Sequence, residues 1–141
     1  MNTTEPIVIV DDDMDDHFIF REIAKNINLT NELVFFRNGL EVLSYLKTTT
    51  QKPFIIFCDI NMPNMDGLTL RRQINQDEYL RKKSIPFVFF TTAASARQIR
   101  EAYDLTVQGF FLKESSFIET EKTFRLVLDY WDKCKHPNSV R

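Results

Sequence analysis

The sequence carries no surplus of basic charge. Its eighteen lysines and arginines are set against twenty aspartates and glutamates, which leaves a net charge of −2 at pH 7. Nucleic acids and anionic membranes are bound by basic patches, so this balance argues against both partners. No apolar stretch approaches the ~20 residues that a membrane-spanning helix needs. We therefore expect neither nucleic acid nor a membrane as a partner.

Cysteine is also scarce. Cys58 and Cys134 are the only two, they form no CxxC motif, and no histidine stands at metal-ligand spacing from them. We expect free thiols rather than a disulfide or a zinc site. The first residues also lack a basic leader followed by an apolar core, so the sequence predicts a cytoplasmic protein.

The length of the chain, 141 residues, is that of one domain. Hydrophobic residues make up 43% of it, including thirteen phenylalanines, which is enough to fill one core. No low-complexity tract and no long linker divides it. We expect a single domain over residues 1–141, with its core at about 6–130 and no effector domain.

Five short apolar runs alternate with five helical patterns. The runs cover residues 7–10, 33–36, 54–58, 87–90 and 109–112. The helical patterns cover residues 15–26, 38–47, 67–80, 95–103 and about 116–135. Unbroken apolar runs are typical of parallel strands that are covered on both faces. The alternation predicts an α/β fold with a doubly wound, five-stranded parallel sheet.

Several residues mark the starts and faces of these helices. Residues 38–41 and 95–98 match the capping-box pattern, in which a side chain at each end satisfies a free main-chain N–H. Helical spacing places Leu40 and Tyr103 on buried faces. We expect His17 to be an exposed residue of the first helix rather than a metal ligand.

Polar side chains follow the strands at their carboxyl ends, which share one edge of a parallel sheet. They are Asp11, Asp12, Asp59, Thr91 and Lys113. Two carboxylates ~4 Å apart at an effective dielectric of about 20 repel by about 4 kcal/mol, so a cation is needed to hold three together. Ligand sets made only of oxygens suit Mg²⁺ or Mn²⁺. The edge therefore predicts a divalent-metal site.

This set of groups is suited to phosphoryl transfer. Carboxylates form acyl phosphates, which makes Asp59 the expected nucleophile. Lys113 and the metal would neutralise the oxygens of the transferred group, and Thr91 would donate a hydrogen bond to one of them. Asp11 and Asp12 are the expected metal holders.

At these positions the chain resembles the receiver domain of two-component response regulators, most closely the stand-alone chemotaxis-type members. The resemblance covers residues 6–130. It rests on IVIVDDD at the first strand, CDINMPNMDG at the third, FFTTA at the fourth and GFFLK at the fifth. It implies the flavodoxin-like (βα)5 receiver fold. It also implies a signalling protein that catalyses only its own phosphorylation and dephosphorylation.

The resemblance assigns roles by position. It implies Asp59 as the phospho-acceptor and Asp12 as a direct metal ligand. Asp11 would act on the metal chiefly through water, and Asn61 would offer its backbone carbonyl. The phosphoryl donor would be a phosphohistidine on a sensor histidine kinase or a histidine phosphotransfer protein.

The resemblance also implies a switch. After phosphorylation, Thr91 and Lys113 are drawn toward Asp59, and the aromatic side chain of Phe110 turns inward. Phe110 as an ordinary core residue is the alternative. The output face would be the fourth helix, the fifth strand and the fifth helix, acting on a downstream protein that the sequence does not name.

Two departures from the family's pattern stand out. Glu114 follows Lys113 where the family usually has proline after a cis bond. A cis bond before any other residue costs about 3 to 4 kcal/mol, so we expect a trans bond here. The second departure is Ala93, which together with Asn61 flanks the path of a hydrolytic water. Its side chain forms no hydrogen bond to that water, so we expect slow autodephosphorylation.

Two other functions compete with this one. A haloacid-dehalogenase-type phosphatase also uses an Asp nucleophile with Mg²⁺, but it requires a second Asp where this chain has Asn61. A receiver-like interaction module that works without phosphorylation is supported only by Glu114. The segment with Tyr130, Trp131 and residues 133–141 either forms a homodimer or partner surface, as in regulators that partner phytochromes, or covers the sheet.

Overall fold

The computed structural model describes residues 4–140 and forms one five-stranded sheet in the order β2-β1-β3-β4-β5. The strands are β1 (Ile7–Val10), β2 (Leu33–Phe36), β3 (Ile55–Cys58), β4 (Phe87–Thr91) and β5 (Gly109–Leu112). Every neighbouring pair is parallel. The predicted doubly wound parallel sheet is confirmed, and all strand carboxyl ends lie on one edge.

Six α-helices connect and follow the strands in the described part of the chain. They are α1 (Met14–Asn26), α2 (Gly39–Thr48), α3 (Gly67–Asn75), α4 (Glu78–Lys83), α5 (Ala96–Asp104) and α6 (Phe117–Lys133), followed by a 3-10 turn at Pro137–Ser139. The single helix predicted over residues 67–80 is wrong. It is interrupted after Asn75, and Asp77 begins α4 by accepting a hydrogen bond from Leu80 N. None of the helices in residues 4–140 has the length and apolar character needed to cross a bilayer.

Alternate residues of each strand feed two separate cores, because successive side chains point to opposite faces of a sheet. On one face, Val8 and Ile56 pack under α2, α3, α4 and α5. On the other, Ile9 and Phe57 pack under α1 and α6. Both faces are therefore closed to water, and this is why the strands read as unbroken apolar runs.

Two residues expected on buried helix faces are exposed instead. Leu40 and Tyr103 are 59% and 52% exposed. The buried stripe of α2 runs through Val42, Leu43 and Leu46, and Leu40 lies in the first turn outside it. In helix α5, Ala102 is the one buried residue, and it packs into the core on the same face as α2, α3 and α4.

The helix caps follow the sequence more closely. Ser95 and Gln98 form the reciprocal capping box predicted for α5. Asn38 caps α2 by accepting from Glu41 N, but the Glu41 carboxylate accepts from Arg37 N rather than from Asn38 N. The predicted box at α2 is therefore one-sided.

The chain beyond α6 folds back across the amino edge of the sheet, opposite the strand ends that carry the acids. His136 donates from Nε2 to Phe54 O over 2.6 Å, and its ring stacks on the Phe54 ring. Trp131 packs against the core on that side, whereas Tyr130 is exposed. This supports the covering role for Trp131 and the segment up to Val140; Arg141 lies outside the described residues.

Candidate functional site

The strand ends bring four of the predicted site residues together. Asp11 follows β1, Asp59 follows β3, Thr91 is the last residue of β4 and Lys113 follows β5. Lys113 Nζ lies 2.6 Å from Asp11 Oδ2 and 3.3 Å from Asp59 Oδ2. Residues separated by up to 102 positions in the chain therefore share one ion-paired cluster.

Main-chain hydrogen bonds extend the sheet by one residue at this edge and so aim the side chains. Asp11 N donates to Phe36 O, Asp59 N donates to Val10 O, and Lys113 N donates to Thr91 O over 2.7 Å. The main chain at Asp11, Asp59 and Lys113 is consequently held by the hydrogen bonds of the sheet.

The three predicted carboxylates are close enough to share one cation. Asp11, Asp12 and Asp59 each offer an oxygen, and these three atoms lie within 4.8 Å of one another. Asp11 and Asp59 are buried, and Asp12 is half-buried. An all-carboxylate donor set of this size fits a hard divalent ion such as Mg²⁺ or Mn²⁺.

The two oxygens of Asp59 have different surroundings. Oδ1 accepts a hydrogen bond from Ile60 N over 2.7 Å, whereas Oδ2 faces Lys113. The loop that follows is closed by Gly67, whose N–H donates to Ile60 O. Asp66 accepts from Thr69 N and begins α3. One carboxylate orientation is thus selected by the main chain.

Burial and charge act in opposite directions on the central ion pair. Burial raises the pKa of Asp11 to about 7, although the Lys113 ammonium lowers it. Burial also lowers the pKa of Lys113, but the Asp11 charge and hydrogen bonds to Asp11 and Asp16 outweigh it, and the net pKa lies above its usual range. Lys113 is therefore a permanent cation at this edge.

Asp16 is a residue of this cluster that the sequence reasoning missed. Its Oδ2 lies 2.7 Å from Lys113 Nζ, closer than the Asp59 oxygen. In the sequence it counts only as one of several acids at the start of a helix. Its place in the first turn of α1 gives no further signal, because Asp15 shares that turn.

His17 is buried, and the prediction that it is exposed is wrong. Its Nε2 donates to Asp11 O over 2.6 Å, and its ring centroid lies 4.7 Å from that of Phe35. Helix α1 begins at Met14 and lies across β1 and β2, which turns His17 inward. It supports the main chain at Asp11 and does not join the carboxylate cluster.

Thr91 and Phe110, the two residues of the predicted switch, have different surroundings. Thr91 is fully buried, and its Oγ1 has no hydrogen-bond partner among residues 4–140. Phe110 is half-buried, with its ring centroid 5.8 Å from that of Phe89. The Thr91 hydroxyl is therefore both closed to solvent and without a partner in this part of the chain, and Phe110 is neither fully packed nor fully exposed. Their switching roles remain predictions.

Two further positions bear on the departures from the family's pattern. Asn61 and Ala93 are both exposed, and Asn61 Nδ2 donates to Ala93 O over 3.4 Å. The two residues flank the cluster from the loops that follow β3 and β4. Slow autodephosphorylation stays a prediction. The only cis peptide bond in residues 4–140 precedes Pro86, so the bond between Lys113 and Glu114 is trans as expected.

Comparison with known proteins agrees with this geometry. The family model of the response regulator receiver domain matches residues 7–125. The response regulator Rcp1 of Synechocystis sp. is 26% identical over 135 residues, which are 92% of this chain and 90% of Rcp1.

Solved structures share the fold. The phosphorylated cyanobacterial phytochrome response regulator RcpA superimposes with a TM-score of 0.83 at 25% identity, covering 93% of this chain and 96% of RcpA. The Mn²⁺-bound form of Rcp1 gives a TM-score of 0.83 at 24% identity, covering 94% and 99% of the two chains. The chain therefore belongs to the response regulator receiver domain family, and it is a receiver domain of the two-component type.

Proposed function

We propose that the chain accepts a phosphoryl group on Asp59 from a phosphohistidine of a sensor kinase or a phosphotransfer protein. The observation that carries this proposal is the environment of Asp59 Oδ2. It faces the buried Lys113 ammonium while Oδ1 is held by Ile60 N, and two further carboxylates stand within metal-sharing distance. Receiver domains of this family are signalling proteins that histidine kinases or phosphotransfer proteins phosphorylate.

Receiver domains bind a divalent metal at their acidic pocket, and we assign Mg²⁺ to this one, with Mn²⁺ as a substitute. Asp11, Asp12 and Asp59 would hold it, Asp11 chiefly through water, and the backbone carbonyl of Asn61 would complete the set. When bound, such an ion neutralises oxygens of the transferred group. Rcp1 has been solved in a Mn²⁺-bound form.

The side chains of this protein then have separate tasks in the transfer. An oxygen of Asp59 forms the new bond to phosphorus as the bond between phosphorus and the donor histidine breaks. Lys113 supplies a fixed positive charge to the phosphoryl oxygens. Thr91 donates its hydroxyl hydrogen to one of them, which gives the buried Oγ1 the partner that it lacks among residues 4–140.

Phosphorylation would be passed on through a change of shape. The new charge attracts Thr91 and Lys113, and movement of Thr91 leaves space into which Phe110 turns. The affected surface consists of α5, β5 and α6, which correspond to the predicted output face. We propose the cytoplasm as the compartment, which the free thiols of Cys58 and Cys134 support.

The phosphatase alternative loses its support, because the family match is to receivers and Asn61 stands where that mechanism needs an Asp. The interaction module that works without phosphorylation is the alternative that an experiment decides. Incubation with acetyl phosphate and Mg²⁺ should add ~80 Da, the mass of one phosphoryl group, in intact-protein mass spectrometry.

Two variants localise the modification. Asp59→Asn should abolish the adduct, whereas Asp66→Asn should keep it, because Asn also caps a helix and Asp66 lies in the same loop. Chelation of the metal should suppress labelling of the wild type. Failure of acetyl phosphate and of phosphohistidine donors to give any adduct would leave the phosphorylation-independent module as the function.

A further inference from the structure

We infer that Asp16 is a positioning residue of the phosphoryl-accepting site, which holds the Lys113 ammonium on the α1 side of the cluster and keeps Asp59 Oδ2 open to the incoming phosphorus. The inference rests on the proposed function. It assigns a task to a carboxylate that neither caps a helix nor belongs to the metal-sharing set.

The distances around Lys113 Nζ are unequal. The ammonium lies 2.6 Å from Asp11 Oδ2 and 2.7 Å from Asp16 Oδ2, but 3.3 Å from Asp59 Oδ2. The two short contacts are charge-assisted hydrogen bonds of full strength, and the third is the weakest. The proposed acceptor is thus the carboxylate to which the lysine is least tightly bound.

An ammonium has three N–H donors and no acceptor. In this cluster the three donors are shared by Asp11, Asp16 and Asp59, and the Lys113 side chain is only 8% exposed. If the charge of Asp16 is removed, the ammonium loses one of its three charged partners while its own side chain stays largely out of water. The ammonium is then drawn toward Asp59, where a tight ion pair occupies the nucleophile and competes with a bound cation.

Asp16 is held in place before any ligand arrives. Asp13 caps α1 by accepting from Asp15 N over 2.9 Å. His17 connects the first turn of α1 to the end of β1 by donating to Asp11 O. The Asp16 side chain is 20% exposed, while the neighbouring Asp15 is exposed and has no ion pair among the described contacts. Two adjacent acids of the same helical turn therefore differ in their contact with Lys113.

The rival explanation gives Asp16 an ordinary task, as one of the acids that stabilise the start of a helix. Asp15 has the same charge in the same turn and provides the matched control. Asp16→Asn should slow labelling by acetyl phosphate about tenfold, because the Asn oxygen still accepts from Lys113 but no longer carries the charge that strengthens the hydrogen bond. Asp15→Asn should stay within about twofold of the wild type, and Asp16→Glu should recover part of the rate.

A second comparison separates positioning of Lys113 from a general effect of negative charge. In a Lys113→Met background, Asp16→Asn should cause no further slowing, because there is no ammonium left to place. An equal slowing in both backgrounds would overturn the inference. So would equal rates for Asp16→Asn and Asp15→Asn.

The position of the ammonium can be observed without any phosphorylation. In nitrogen-15 NMR, the Lys113 ammonium signal, assigned by its loss in Lys113→Met, should be the same in the wild type and in Asp15→Asn and shifted in Asp16→Asn. An unshifted signal would also overturn the inference. If the wild type is not labelled at Asp59, both the proposed function and this inference are wrong. If the wild type is labelled and Asp16→Asn is labelled at the same rate, only the inference is wrong.

Discussion

Asp11 shows how burial and charge compete within one side chain at the edge of the sheet. It is 2% exposed, and it pairs with Lys113 at 2.6 Å. Burial nevertheless prevails and raises the pKa of its carboxyl from 3.8 to about 7. A carboxylate that is costly to ionise in the free protein is one that a divalent cation would stabilise when it binds.

The raised pKa of Asp11 has a consequence for stability. Between its unfolded value of 3.8 and its folded value of about 7, the folded protein holds a proton that the unfolded chain has released. The contribution of Asp11 to the free energy of unfolding is therefore largest below about pH 4 and is lost as the pH rises to about 7. The loss should be about 4 kcal/mol, since the pKa rises from 3.8 to about 7 and each pKa unit is worth ~1.4 kcal/mol.

Urea denaturation without divalent metal at about pH 5 and about pH 7.5 measures this effect. The wild type should lose stability between the two values, and Asp11→Asn, which has no proton to release, should show a flatter dependence. Equal pH dependence in the two proteins would show that burial does not control the ionisation of Asp11.

The loop between β3 and α3 shows how one element positions the acceptor. Gly67 begins α3 directly against the main chain after β3, and a Cβ there would lie 2.3 Å from Asp59 O and 2.8 Å from Phe89 Cε1. Neither neighbour is free to move, because one is backbone and the other is a ring packed in the core. The close approach of helix and strand therefore depends on the absence of a side chain.

Replacing Gly67 by Ala should destabilise the fold by about 3 kcal/mol through overpacking, and it should slow the labelling of Asp59 because its loop must shift. Gly39→Ala provides the control at the start of α2. Its Cβ would meet the Met65 side chain, with Sδ at 2.6 Å, and a flexible thioether can move aside. We expect a loss of about 1 kcal/mol and normal labelling for that variant. A larger loss of unfolding free energy in Gly39→Ala than in Gly67→Ala, measured by urea denaturation, would contradict this account.

At the scale of the whole molecule, the sheet and the meeting of its acids could be predicted from the sequence. Unbroken apolar runs identify buried parallel strands, and parallel strands end on one edge whatever their order in the chain. Asp59 and Lys113 could therefore be placed together without knowledge of side-chain packing.

Other features depend on how a helix is rotated against the sheet, which sequence periodicity does not determine. His17 and Asp16 reach inward because α1 begins at Met14 and packs across β1 and β2. The break between α3 and α4 was missed because the charged residues around Asp77 are compatible with a continuous helix. The return of the chain after α6 depends on contacts with residues more than 80 positions away, such as that from His136 to Phe54.

The segment after α6 stabilises the amino edge of the sheet, whereas the carboxyl edge carries the candidate site. His136 Nδ1 accepts from Asn138 N, so Nε2 carries the proton and donates to Phe54 O. His136→Ala removes both hydrogen bonds and the stacked ring. It should lower the free energy of unfolding by about 2 kcal/mol in urea denaturation, whereas Ala at the exposed Lys135 should change it little. Phe54 precedes β3 and Asp59 follows it, so the two residues lie at opposite ends of the strand. We therefore expect His136→Ala to leave the labelling rate of Asp59 unchanged under native conditions. A slower rate in His136→Ala would mean that the two edges are coupled through the sheet.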